Sequence, residues 1–157
     1  MAKFSFKLAS ILNIKEKMED LKKNEFGKAV MALEAEKARL VVLQDTKILC
    51  IQSFRDSLKT GVKPDDLQQH NVYIDRLKEL IKQQKIVILR AEEFVEQKRL
   101  ELVEAMRERK TMDTLKDNAY EEFLAEEKQA EQKIIDEIVS YKTATIGASI
   151  ARPQSKR

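Results

Sequence analysis

Side chains that could do chemistry are few in this chain of 157 residues. His70 is the only histidine and Cys50 the only cysteine, so a histidine-rich metal site and a CxxC pair are both excluded. We expect His70 to lie exposed at a turn, without the partners that a catalytic triad requires. The three glycines are isolated and form no phosphate-binding GxxxxGK[ST] or GxGxxG loop.

Carboxylates are abundant, and some of them occur as like-charge pairs four residues apart. The pairs are Glu92/Glu96, Glu104/Glu108 and Glu122/Glu126. General acid–base catalysis needs a dry, concave pocket that shifts carboxylate pKa values, and the rod of two helices predicted below offers none. We interpret these residues as part of a solvated helix surface. The repulsion between the paired carboxylates is reduced by ion pairs three residues apart, Glu96–Arg99 and Glu104–Arg107. The sequence therefore predicts a protein that is not an enzyme and has no catalytic residues, cofactor, metal site or small-molecule substrate.

The composition indicates long helices. Charged residues make up 36% of the chain, with only 3 Gly and 2 Pro, too few for the turns of a β domain or a Rossmann-type enzyme. The net charge of +3 arises in residues 143–157, so the body is neutral and nucleic-acid binding is not expected. A single cysteine excludes a secreted disulfide scaffold. No apolar run reaches the ~20 residues of a membrane span. We expect no membrane insertion and a cytosolic or peripheral location.

The apolar residues recur at three- and four-residue spacing in two long segments. They predict helix 1 over about 4–59, a turn over 60–66 and helix 2 over about 67–141. Gly61 can end the first helix in a left-handed conformation, and Pro64 suits the first turn of the next. The predicted fold is all-α: an antiparallel two-helix coiled-coil hairpin over 1–142, with the second helix longer and a flexible basic tail over 143–157.

The register of this hairpin leaves part of helix 2 without a mate. A turn centred near residues 61–62 places residue 4 opposite about residue 120, by equal rise per residue. Helix 2 then continues for about twenty residues. We expect its apolar residues to lack an intramolecular partner and to form a binding face: Phe123, Leu124, Ile134, Ile135 and Ile138. Acidic residues predominate around them, which suits a basic channel.

Two aromatic residues flank the predicted turn on opposite helices. Phe54 and Tyr73 would meet there, together with Ile51 and Leu77. This group either closes the hairpin or binds a partner, and the sequence leaves both readings open.

Three segments of the chain are distinctive: Phe4-Ser5-Phe6-Lys7-Leu8 with Ile11–Lys15, the run Arg99–Lys116, and Glu131–Ile138. Together they resemble the FliJ family of the flagellar type III export apparatus. The resemblance implies a stalk-like antiparallel coiled coil that binds the hexameric export ATPase and the cytoplasmic region of the membrane export gate. It also implies that the protein escorts export chaperones and associates peripherally with the cytoplasmic side of the cell membrane.

The resemblance further implies a gate-binding patch near the turn, and it places the ATPase ring at the unpaired end of helix 2. The positions that match the patch are Cys50, Phe54, Tyr73, Leu77, Leu80 and Gln84. The alternatives are a central-stalk subunit of a rotary ATPase and another coiled-coil adaptor or scaffold protein. A stalk subunit usually carries an additional domain, for which this chain has no spare length.

Overall fold

The computed structural model describes residues 3–150, with side chains as far as residue 144. Two helices make up nearly all of this part of the chain: α1 over Ala9–Thr60 and α2 over Pro64–Ile150. No strand occurs among the described residues. The expected all-α architecture with a longer second helix is confirmed.

Contacts divide the chain into two units, which we name for what they contain. The hairpin unit, residues 15–108, holds the turn and the adjoining parts of both helices. The terminal unit combines the residues up to 14 with those from 109 onwards.

The hairpin unit is antiparallel, and its ion pairs record the register. Lys15 reaches Glu108 at 2.7 Å, Lys22 reaches Glu101 at 2.7 Å, and Lys98 reaches Glu25 at 3.0 Å. The two residue numbers in each pair add up to the same total, 123. The apolar core between the helices is narrow, and its most buried members are Ala29, Leu33, Leu77 and Ile88. With so thin a core, polar contacts across the seam contribute to the choice of register.

The turn is shorter than expected, because Pro64, Asp65 and Asp66 already belong to α2. Gly61 has a φ of 91°, the left-handed conformation that ends a helix and favours glycine. The two aspartates lie in the first turn of α2, where carboxylates interact favourably with the helix dipole.

Both outer helix boundaries differ from the sequence prediction. Helix α1 begins at Ala9 rather than at about residue 4, and residues 3–8, which we call the N-terminal arm, precede it. The arm is tied to the first turn by a hydrogen bond from the Ala9 amide to the Phe6 carbonyl at 3.1 Å. At the other end, α2 continues to Ile150 instead of ending at about 141. Residues 143–150 of the expected tail are therefore helical, and residues 151–157 lie outside the described residues.

Candidate functional site: the turn region and the C-terminal surface

The six positions that we call the turn region differ widely in exposure. They are Cys50, Phe54, Tyr73, Leu77, Leu80 and Gln84. Leu77 is only 3% exposed and belongs to the core, whereas Tyr73 is 47% and Leu80 39% exposed. The remaining three are half-buried. A protein partner approaching this region would therefore meet Tyr73 and Leu80, with Leu77 supporting them from within.

His70 packs inside the turn region, so the expectation that it would be exposed is wrong. Its ring lies 4.3 Å from the ring of Phe54, measured between centroids. Its Nε2 atom is 3.1 Å from the Cys50 carbonyl oxygen and 3.8 Å from the Cys50 sulfur. The physical reason is that residue 70 lies on the side of α2 that faces Cys50 and Phe54 of α1. This cluster joins the two helices close to the turn.

Tyr73 lies on a different surface from Phe54. It lines an open groove of about 460 Å³ along the first turns of α2, together with Asp65, Gln69 and Arg76. The aromatic ring found against Phe54 is that of His70, not that of Tyr73. Hairpin closure and partner binding therefore fall to different residues. Phe54 helps to close the hairpin, and Tyr73 is available at the surface.

Gln84 makes a polar link across the seam. Its side-chain amide donates to the backbone carbonyl of Glu36 at 3.0 Å and to the Glu36 carboxylate at 2.6 Å. A polar pair at core positions costs stability but specifies register, since a shift would leave both groups unsatisfied. Glu36, which interrupts the apolar pattern of α1, is accommodated by this contact.

We call Phe123, Leu124, Ile134, Ile135 and Ile138 the C-terminal surface. The last four are 47–57% exposed. Phe123 is half-buried, because its ring contacts that of Phe4 in the N-terminal arm at 5.6 Å between centroids. The expectation that all five would lack an intramolecular partner is therefore wrong for Phe123. Phe4 also meets Tyr120 edge-on at 5.1 Å, which confirms the predicted register of residue 4 opposite about residue 120.

Four charged residues of the hairpin unit form a closed network that we call the ionic ring. Lys22 contacts Glu101 at 2.7 Å and Glu25 at 3.1 Å, and Lys98 contacts both carboxylates at 3.0 Å. Hydrogen bonds from Lys98 and then Lys22 hold the pKa of Glu25 below its usual range. Hydrogen bonds from Lys22, and to a lesser extent from Lys98, also lower the pKa of Glu101. Bonds to Glu101 and then Glu25 raise the pKa of both lysines.

Sequence reasoning missed the ionic ring and the role of Phe4. A usable signal for the ring was present: each helix carries a Lys-x-x-Glu motif, Lys22–Glu25 and Lys98–Glu101. In an antiparallel register with a constant sum, the lysine of one motif faces the glutamate of the other. No comparable signal marks Phe4, because the pattern around it also suits an amphipathic helix.

Neither metal-binding nor membrane-spanning features occur in the described part of the chain. Residues 3–150 contain no group of three or more histidine, cysteine or acidic side chains arranged to hold a metal ion. Within the same range, neither helix has a segment with the length and apolar character needed to cross a bilayer.

The fold and these surfaces define a class: coiled-coil hairpin proteins whose candidate sites are exposed apolar side chains on helices. Residues 4–145 match the flagellar FliJ protein family, and the chain belongs to that family. The flagellar FliJ protein of Bacillus subtilis (strain 168) is 26% identical over 136 residues, which cover 86% of this chain and 92% of that protein. The fold is similar to that of CT670 from Chlamydia trachomatis, described as a YscO homologue, with a TM-score of 0.62 and 21% identity. That likeness covers 93% of this chain and 99% of the other. The protein is accordingly a coiled-coil protein of flagellar export.

Proposed function

We propose that this chain is a non-enzymatic, stalk-like component of flagellar type III export. In this proposal it binds the hexameric export ATPase through the C-terminal surface and the cytoplasmic region of the export gate through the turn region. It also escorts export chaperones and acts in the cytoplasm at the inner face of the cell membrane. Membership of the flagellar FliJ family supports the choice of partners.

The observation that carries the proposal is the row of exposed isoleucines on α2. Ile134, Ile135 and Ile138 are 57%, 52% and 51% exposed, although their spacing continues an apolar seam. An apolar helix face that no second helix covers is a candidate binding surface for a protein partner. Acidic residues surround it and give it a charge that complements a basic channel: Glu127, Glu131, Asp136 and Glu137.

Replacing two of these isoleucines tests the ATPase part of the proposal. We expect Ile134→Ser with Ile138→Ser to abolish stimulation of ATP hydrolysis by the purified export ATPase. The helix should persist, since both side chains are half exposed and lose little packing. The matched control is Leu89→Ser with Leu100→Ser, two residues that are 59% and 55% exposed elsewhere on α2. Full stimulation by the isoleucine variant would contradict the assignment.

The gate part of the proposal is tested at the exposed members of the turn region. Tyr73→Ala with Leu80→Ala should weaken binding to the cytoplasmic region of the gate protein, measured by calorimetry, with little change in melting temperature. Leu77→Ala should instead destabilise the hairpin by about 2–5 kcal/mol, because that side chain is buried. Unchanged gate binding in the Tyr73 and Leu80 variant would rule out this surface.

A further inference from the structure

The N-terminal arm lies on α2 as a short non-helical peptide. Its Phe4 ring meets Tyr120 edge-on at 5.1 Å and Phe123 at 5.6 Å, both measured between ring centroids. The arm thus occupies an aromatic position on the outer part of α2 that would otherwise face solvent. A helix that holds one short peptide in this way has a surface suited to peptides of similar chemistry.

The arm covers this surface without filling it. A cavity of about 700 Å³ remains between them, bounded by Phe4, Phe6 and Leu8 of the arm and by Leu115, Ala119 and Phe123 of α2. Apolar side chains of the arm and of α2 line its centre, and the Phe4 ring contacts Tyr120 and Phe123 of α2. The cavity shows that the arm does not pack tightly against α2 along its whole length.

The charges around the cavity indicate the chemistry of a ligand. Glu122 and Glu126 line it on the α2 side, and Lys3 and Lys7 line it on the arm side. When the arm leaves, it takes its lysines with it, and α2 presents an apolar surface edged by two carboxylates. That surface would attract a segment in which aromatic and basic residues alternate, as they do in the arm itself.

We propose that the surface formed by Leu115, Ala119, Tyr120 and Phe123 is a docking site for a basic, aromatic peptide segment of a protein partner. In the free chain the N-terminal arm occupies this site, and the partner segment displaces it. The proposal does not depend on which export component supplies the segment. The site shares Phe123 with the C-terminal surface but contains neither Ile134 nor Ile138, the two residues replaced in the ATPase test, so each proposal can fail without the other.

The arm sequence supplies the probe. A fluorescently labelled peptide with the sequence of residues 3–10 is titrated into the full-length Phe4→Ala variant, whose own arm has lost its anchor. Binding should be about tenfold tighter than to the wild-type chain, where the arm competes; tenfold is the scale set by one aromatic pair. Adding Phe123→Ala to the variant should abolish binding.

Control variants distinguish specific binding of the peptide from non-specific binding and from unfolding of the chain. Phe94→Ala removes a half-exposed ring from the hairpin unit and should bind the peptide no better than wild type does. Phe123→Leu keeps apolar packing and helicity, followed by circular dichroism, yet should still weaken binding. A peptide carrying glutamate in place of both lysines should bind less tightly. Equal binding to wild type and Phe4→Ala, or binding that persists without the Phe123 ring, would overturn the proposal.

Discussion

Single polar residues do much to define how the two helices of the hairpin unit pair. The Gln84–Glu36 contact and the ionic ring both lie at or beside positions that a regular coiled coil fills with apolar side chains. Each contact is lost if one helix slides along the other, because the partner then moves out of reach. The apolar residues supply attraction between the helices, and these polar residues restrict it to one register.

The ionic ring predicts a loss of stability in acid. The pKa values of Glu25 and Glu101 are lowered in the folded state, so both carboxylates stabilise the fold above the ordinary glutamate pKa of about 4.3. That contribution disappears as the pH falls through the lowered values. The raised pKa values of Lys22 and Lys98 act at the opposite end of the scale, where stability is lost at strongly alkaline pH.

Melting curves between pH 7 and pH 3 test this prediction. Glu25→Gln with Glu101→Gln should melt at a lower temperature than the wild type at pH 7. The difference should shrink as the pH falls and vanish once the wild-type carboxylates are protonated. A matched control is Glu96→Gln, whose carboxylate pairs with Arg99 within α2 and links nothing across the seam. If the difference in melting temperature between the wild type and the ionic-ring variant stays constant from pH 7 to pH 3, protonation of Glu25 and Glu101 does not control this part of the stability.

At the scale of elements, Gly61 and Gly27 have opposite roles. Gly61 ends α1 with a positive φ, a conformation that strains any residue with a Cβ. Gly27 lies within α1, and a Cβ added there would meet nothing within 4 Å. One glycine is required by the turn, and the other only weakens a helix.

Two alanine substitutions should therefore change stability in opposite directions. Gly61→Ala should destabilise by about 1–2 kcal/mol, the cost of a left-handed residue with a side chain. Gly27→Ala should stabilise by about 1 kcal/mol, since alanine is the better helix former. Urea unfolding followed by circular dichroism measures both. Two changes of the same sign would show that local backbone preference does not govern either site.

The helices could be predicted from sequence more fully than their ends. Periodic apolar residues and the Gly61–Pro64 break were sufficient for two helices, their order and an antiparallel register, because these signals are local and repeated. The start at Ala9 was missed, since the residues before it contact α2 through Phe4, and local periodicity does not report contacts with Tyr120 and Phe123, more than a hundred positions away. The contacts of His70 with Phe54 and Cys50 were missed for a similar reason, because they depend on side chains of the other helix.

For the whole molecule, family membership and charge narrow the range of functions more than any single site does. The chain has a net charge of +3, and its basic excess lies in residues 143–157, so the preceding residues carry equal numbers of basic and acidic side chains. Its available surfaces are exposed apolar side chains of the kind that other proteins bind. These features agree with a protein that works by joining other components of flagellar export.

The nested order of the contacts between the two helices has a consequence for how the chain acquires its structure during synthesis. Cys50 and His70 are 20 positions apart, Glu36 and Gln84 are 48 apart, and Lys15 and Glu108 are 93 apart. Once the contact nearest the turn has formed, each further contact closes only a small additional loop, so the entropy cost is divided into small steps. Pairing of α1 with α2 should therefore begin at the turn and proceed towards the far ends of the helices. This is the order in which the ribosome releases α2. The contacts of Phe4 with Tyr120 and Phe123 would form among the last.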